Sequence, residues 1–313
     1  MLKCFHSIIL SLFVCLSFSV SAAPNQPIRV ALDDLPGVDM LGILIAFERA
    51  KEKGVDIKVS YLQSEGMAMR SILNRQADIG MGTPYQQIQK NGHPIRMFYQ
   101  LSKLRFHPMV NSNYFSSWKD LDGIEMYTHG SGSGTEAVMN MMAKQHNISY
   151  SKMGYLPGSG VRANAMIHGR IKATVVDTER KNMLLALPNS PFKTLPLPEI
   201  NASDETLYAH QSFIDSHREE LKIIVQELLH VWNKTVEQPD FILQERKKYN
   251  LLPRLKQEEE ILTYYSEMAK ADALPIDGGL GKAFTADVEF YKYAGTIKGD
   301  ISSLNLENYW DFS

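Results

Sequence analysis

The sequence predicts an α/β protein of two lobes, each built on a mixed, mostly parallel sheet flanked by helices, with a helical segment at the C-terminal end. Three observations carry that prediction. Strand-like runs alternate with helix-periodic stretches along the first hundred residues after the N-terminus, the pattern of repeated βα units. The alternation restarts near Phe106, and after Pro198 the periodicity becomes mainly helical.

The first unit opens with a strand over residues 28–32, followed by the loop Asp33-Asp34-Leu35-Pro36-Gly37. Met40, Leu41, Leu44 and Phe47 fall at helical spacing, and Gly54 suits the stop. Val55, Ile57, Val59 and Tyr61 alternate as a strand. A loop over 63–66 leads to a helix carrying Met69, Ile72 and Leu73, and residues 78–81 form a short strand. Gly82-Thr83-Pro84 precedes another helix, and residues 95–99 complete the unit. Sheets of this type bind ligands beyond the carboxyl ends of their strands. The loops at Asp33, Ser64, Thr83 and Gln100 are therefore expected to converge on one crevice.

In the second unit, Pro108 cannot donate to a sheet ladder, so the first strand is placed at 109–112. Residues 118–123 connect to a strand at 124–127 and then to Gly130-Ser131-Gly132-Ser133-Gly134-Thr135, which opens a helix over 136–145. A strand at 154–156, a loop at 157–160, a helix through His168 and a strand at 173–176 follow, ending in Asp177-Thr178-Glu179. Leu195-Pro196-Leu197-Pro198 reads as the way back. Leu221, Ile224, Val225, Leu228, Leu229 and Trp232 form an amphipathic helix. Another helix at 261–269 and a turn at 274–279 lead to a final one. The expected boundaries are 1–22 for a signal peptide, 23–105 for lobe 1, 106–195 for lobe 2, and 196–313 for the return to lobe 1 with its helices.

The N-terminus reads as a secretory signal: Lys3, an apolar core over 8–20, and Val20-Ser21-Ala22 as a small-residue cleavage pattern. Cys4 and Cys15 both fall inside it, so the exported, periplasmic chain is expected to lack cysteine and disulfides. Its stability must then come from a buried core, which roughly 290 residues can supply. The net charge of -2 argues against nucleic acid or an anionic membrane surface as partner. No GxSxG elbow, HExxH helix or Cys/His cluster is present, so neither catalysis nor a metal or other cofactor is expected.

The Gly/Ser loop suits a grip on an anionic or strongly polar small molecule. Glycines permit close backbone approach, and the helix start adds unpaired N–H groups and a favourable dipole. It lacks the lysine of a phosphate-binding P-loop and the spacing of GxGxxG.

Several stretches, in order, resemble the periplasmic solute-binding proteins of ABC importers, in the group that takes taurine, alkyl sulfonates, nitrate or thiamine-pyrimidine precursors. Met69-Arg70-Ser71-Ile72-Leu73-Asn74-Arg75-Gln76-Ala77-Asp78-Ile79-Gly80 resembles that group's helix and following alanine-aspartate-isoleucine-glycine strand. Trp118-Lys119-Asp120-Leu121-Asp122-Gly123-Ile124 and Met166-Ile167-His168-Gly169-Arg170-Ile171-Lys172-Ala173-Thr174 match two further segments. The resemblance implies a type II periplasmic-binding-protein clamshell. It implies a monomer that hands a small solute to permease subunits with a cytoplasmic ATPase. A receptor presenting its ligand to a membrane sensor, or a secreted enzyme on the same scaffold, are the alternatives. The chain departs from the group at Asp177-Thr178-Glu179-Arg180, where relatives usually carry tryptophan-glutamate-proline, and at the paired aspartates Asp33 and Asp34.

By the resemblance, Ser131, Ser133, Gly134 and Thr135 face the cleft, although Ser133 or Thr135 can equally be a helix cap. Ser64, Glu65 and Gly66 fit a second contact loop, with a solvated carboxylate as the other reading of Glu65. Thr83 points its hydroxyl to the cleft with Tyr85 as an aromatic wall, or Tyr85 simply packs. Ser159 lies in a further loop. Asp33, Asp34, Asp177 and Glu179 supply carboxylates for a ligand amine. The other readings are loop solvation or turn-making for Asp33 and Asp34, and an arginine pairing that bridges the lobes for Asp177 or Glu179. Asp39 reads as a helix cap. Hydroxyls on one side and carboxylates on the other suit an amine-bearing or zwitterionic solute.

Overall fold

The computed structural model describes residues 26–62, 64–92, 94–255, 257–299 and 304–312. The signal-peptide stretch and both cysteines lie outside them. The chain begins with β1 (Ile28–Leu32), α1 (Leu41–Glu52), β2 (Ile57–Tyr61), α2 (Glu65–Leu73), β3 (Ile79–Gly82), α3 (Tyr85–Asn91) and β4 (Ile95–Lys103). Then come β5 (His107–Asn111), a 3₁₀ turn (Trp118–Leu121), β6 (Glu125–Thr128), α4 (Gly134–His146), β7 (Lys152–Tyr155), α5 (Ser159–Ile167), β8 (Ala173–Val176), α6 (Thr178–Leu185) and β9 (Phe192–Thr194). The last strand is β10 (Ser203–His210). It is followed by α7 (Gln211–Ser216), α8 (Arg218–Glu237), α9 (Phe241–Lys248), α10 (Glu258–Lys270) and α11 (Leu280–Tyr293).

These strands form two five-stranded sheets, ordered β2-β1-β3-β10-β4 and β7-β6-β8-β5-β9. In each, three consecutive strands of the order are parallel and the rest pair antiparallel. Two positions differ from the sequence reading. Pro108 lies inside β5, not before it, opposite Val175 of β8. It sits at the second position of the strand, its carbonyl accepts from Leu195 N at 2.9 Å, and the missing donor costs one ladder bond at most. The second is β10, in the stretch read as mainly helical, which lies inside the first sheet between β3 and β4.

One core cluster joins the first sheet to α1, α8, α9 and α10. Gly42 lets α1 approach α8: a Cβ there would stand 2.2 Å from the Trp232 ring. Burying Trp232 and its neighbours contributes roughly 1.5–3 kcal/mol per large side chain. A second cluster includes residues of both sheets, α4 and α11, together with the C-terminal aromatics Tyr309 and Trp310. Within it the Tyr85 hydroxyl donates to Asp287 Oδ2 at 2.6 Å and accepts from Trp310 Nε1 at 2.7 Å. Both clusters hold α8, α10 and α11 against the first sheet, which places their side chains at its carboxyl edge.

Candidate functional site

Two connectors join the sheets, residues 104–106 after β4 and 195–202 before β10. They run side by side, with Leu104 N donating to Ala202 O at 2.9 Å and Arg105 Nη1 to Ile200 O at 3.0 Å. Between the sheets lies a cavity of about 100 Å³. At its mouth the lobes meet: a Cβ on Gly132 would stand 2.8 Å from Gln86 Oε1, and one on Gly158 3.7 Å from both Asp34 carboxylate oxygens.

The first lobe supplies six carboxylates to this cavity: Asp33, Asp34, Asp39, Glu65, Asp204 and Glu205. Asp33 ends up there because β1 stops at Leu32 under the sheet's carboxyl edge, and Glu65 because it opens α2 at the next strand end. Asp204 and Glu205 come from β10. One oxygen from each of Asp33, Glu65 and Glu205 lies within 4.8 Å of the others. Asp33 Oδ1 and Glu205 Oε2 have no hydrogen-bond partner among the described residues. Burial, then the Glu65 and Asp34 charges, push the Asp33 carboxyl well above its usual range. Burial likewise lifts Glu65 to about 7, against a backbone N–H bond from Thr83. Asp204 and Glu205 rise well above theirs by burial, then by the Glu65 charge for Asp204 and the Asp33 charge for Glu205.

The second lobe presents a different wall. The buried Arg162 guanidinium donates to Val175 O at 2.9 Å, Leu156 O at 2.8 Å and Ser159 Oγ at 3.0 Å. Burial lowers its pKa to about 10, opposed by the Asp177 and Asp34 charges. His129 is held down to about 4 by burial and by Arg162. Its Nδ1 accepts from Gly158 N at 3.3 Å, so the neutral ring carries its proton on Nε2. That Nε2 and Trp232 Nε1 are buried without partners among the described residues, and both side chains line the cavity. The cavity thus combines unpaired acceptors from lobe 1 with unpaired donors from lobe 2 and α8. Phe106, Tyr264 and Met268 add apolar walls.

The Gly/Ser loop is largely satisfied by itself. Ser133 Oγ donates to Gly130 O at 2.7 Å and accepts from Glu136 N at 3.4 Å, capping α4. Thr135 Oγ1 accepts from His129 N at 2.9 Å and lies 2.9 Å from Ser133 Oγ. The Glu136 carboxylate accepts from Gly132 N at 2.7 Å, so the helix start already carries a negative charge.

Of the residues singled out in the sequence, Asp33, Asp34, Glu65, Ser133, Gly134, Thr135, Ser159 and Asp177 line this cavity. The others are placed elsewhere. Ser64 caps α2, accepting from Met67 N at 3.3 Å, and Gly66 sits within that helix beside Arg70. Thr83 is buried against the Tyr291 hydroxyl at 3.2 Å, and Tyr85 is wholly buried in the Asp287–Trp310 network. Ser131 is exposed, and Glu179 pairs with the adjacent Arg180. Asp39 is not the helix cap: Met40 precedes α1 without a side-chain cap, and Asp39 lines the cavity. Asp204, Glu205, His129, Arg162 and Trp232 were not anticipated. The β-forming run Thr206-Leu207-Tyr208-Ala209 is the signal that would have found the first two.

Residues 39–242 match the family described as NMT1/THI5 like. No curated protein matches the chain in sequence. In structure it is similar to a protein of Bordetella bronchiseptica RB50, with a TM-score of 0.73 and 16% identity, covering 91% of this chain and 94% of that one. It is similar to a Candida albicans gene product reported to exhibit the generic periplasmic binding protein fold (TM-score 0.70, 14% identity, 88% and 92% covered). It also resembles the alkanesulfonate-binding protein SsuA from Xanthomonas axonopodis pv. citri, bound to MOPS (TM-score 0.66, 13% identity, 89% and 96% covered). The fold is the two-lobed periplasmic-binding-protein clamshell, and the chain belongs to the NMT1/THI5-like family.

Proposed function

We propose that this member of the NMT1/THI5-like family is an extracytoplasmic solute-binding protein that captures a small amine-bearing organic solute and delivers it to an ABC permease. The observation that carries the reading is the charge of the cleft: six carboxylates from lobe 1 face one buried arginine from lobe 2. Buried carboxylates without counter-charge are costly, and a cationic group entering the cleft relieves that cost. The unpaired donors His129 Nε2 and Trp232 Nε1 suit an acceptor elsewhere on the same solute, such as a hydroxyl or an acid group. The sulfonate of the ligand named for the Xanthomonas protein would meet repulsion on the lobe 1 side here, so cargo class does not follow from fold.

Binding across two lobes joined by paired connectors favours hinge closure, with ligand contacts from both walls stabilising the closed population for the permease. Delivery of an unaltered solute, rather than its conversion, is part of this reading, and recovery of the solute after binding tests it. The test is a thermal-shift screen of protein unfolded and refolded to remove trapped ligand. The panel contains taurine, β-alanine, ethanolamine, putrescine and nitrogen-free alkyl sulfonates and carboxylates. A saturable rise with an amine, recovered unchanged, supports the reading. A rise with the nitrogen-free anions alone overturns it.

A further inference from the structure

Three of the cleft carboxylates form a more specific arrangement than general negative charge. We propose that Asp33, Glu65 and Glu205 form a seat for an unsubstituted primary ammonium group, an inference that rests on the amine-binding reading of the cleft.

The geometry comes first. One carboxylate oxygen from each residue lies within 4.8 Å of the other two. A primary ammonium donates three hydrogen bonds in tetrahedral directions, and at ~2.8 Å per bond this sets its three acceptors about 4.6 Å apart. A separation of up to 4.8 Å leaves room for each of the three oxygens to take one N–H of a single nitrogen. Second, two of the three carboxylates keep a buried oxygen that no described group of the protein meets. Asp33 is 3% exposed, and its Oδ1 and Glu205 Oε2 are buried with no partner among the described residues. No described lysine or arginine forms an ion pair with any of the three. Third, the three come from separate elements: the residue after β1, the first turn of α2 and the interior strand β10. Glu65 is steadied against the β3 backbone, where a Cβ on Gly82 would stand 3.2 Å from its Cγ. Packing thus fixes the spacing, as a selective site requires.

The consequence is discrimination by N-methylation. A quaternary ammonium has no N–H to donate and is recognised on aromatic faces, and the triad consists of carboxylates. Each methyl added to the nitrogen removes one of the three bonds and adds bulk where the oxygens converge. A hard divalent cation holds its oxygens closer, at about 2.0–2.6 Å from the ion, and is the competing occupant that the test must separate.

The experiment is calorimetric titration of the refolded exported chain with ethanolamine, N-methylethanolamine, N,N-dimethylethanolamine and choline, and with putrescine and its N-methylated series. Mg²⁺, Ca²⁺ and Mn²⁺ are titrated separately. The seat predicts a stepwise loss of affinity reaching at least a hundredfold by the quaternary member. It also predicts a tenfold or greater loss of primary-amine affinity in Glu65→Gln and Glu205→Gln, with no change for choline. Both variants remove repulsion, so they are expected to fold, and circular dichroism checks this. Quaternary amines binding as tightly as primary ones would overturn the seat and leave the amine-binding cleft standing. Stoichiometric metal binding abolished by Glu205→Gln, with no amine bound, would overturn both. No binding by any of these probes would also count against both.

Discussion

Asp33, just after β1, and Glu205, in β10, place carboxylate oxygens within 4.8 Å of each other, and each buries an oxygen with no partner among the described residues. An arrangement of this kind destabilises the empty protein, since desolvated like charges repel and hold protons instead. The repulsion is relieved when a cation arrives. Stability and affinity are therefore linked through the same side chains.

The first prediction is a pH dependence of the empty protein. Burial raises Glu65 from 4.5 to about 7 and raises Asp33, Asp204 and Glu205 as well. The groups around them are the Asp34, Asp39 and Asp177 carboxylates, Arg105 and Tyr208. Between about pH 4.5 and 7 the folded state holds protons that the unfolded state has released, so stability falls as pH rises through that window. Glu65 is partly solvated, so its share is of order 1 kcal/mol. The melting temperature should be a few degrees lower at pH 8 than at pH 5, and a bound amine should reduce that gap. An equal or higher melting temperature at pH 8 without ligand would contradict this.

Glu205→Gln should separate the two roles of the triad. At pH 8 the variant is expected to be more stable than the parent by about 1 kcal/mol, because it removes one buried like charge. Urea unfolding measures that gain. A loss of stability would mean that Glu205 is held by contacts that favour its ionised form.

Thr135→Val addresses the Gly/Ser loop. The hydroxyl accepts from the His129 N–H and bonds with Ser133, so the substitution leaves a buried donor unmet and should cost about 1–3 kcal/mol. A direct grip of Thr135 on the ligand would instead weaken binding with little loss of stability. Urea unfolding and amine titration of the same variant decide between them.

Gly132→Ala tests closure. Gly132 has φ +82° and faces Gln86 across the cleft, with 2.8 Å between a would-be Cβ and Gln86 Oε1. The added methyl strains the turn by about 1 kcal/mol and presses on the opposite lobe. Small-angle scattering should show a smaller ligand-induced contraction than in the parent. An identical contraction would place the closing contact elsewhere.

Much of this was legible in the sequence, for reasons that differ by element. β1, β8 and the helix bearing Met69 to Leu73 declare themselves because apolar periodicity reports burial directly. Asp33, Asp34 and Asp177 were found because α/β loops at strand ends have a fixed place relative to the crevice. Asp204 and Glu205 were not, since they belong to the polar leading end of β10, which returns from the far lobe to pair antiparallel between β3 and β4. Tyr85 shows the converse: its position after Thr83-Pro84 left a cleft wall and ordinary packing both open, and Asp287 and Trp310, both more than two hundred residues on, draw it into the core.

The most direct test is a crystal structure of the complex with the primary amine that raises the melting temperature most. The account predicts the amine nitrogen within hydrogen-bond distance of Asp33, Glu65 and Glu205 together, with the rest of the solute toward His129 and Arg162. A solute bound by its anionic end on the Gly/Ser loop, with its nitrogen in solvent and the three carboxylates untouched, would contradict it.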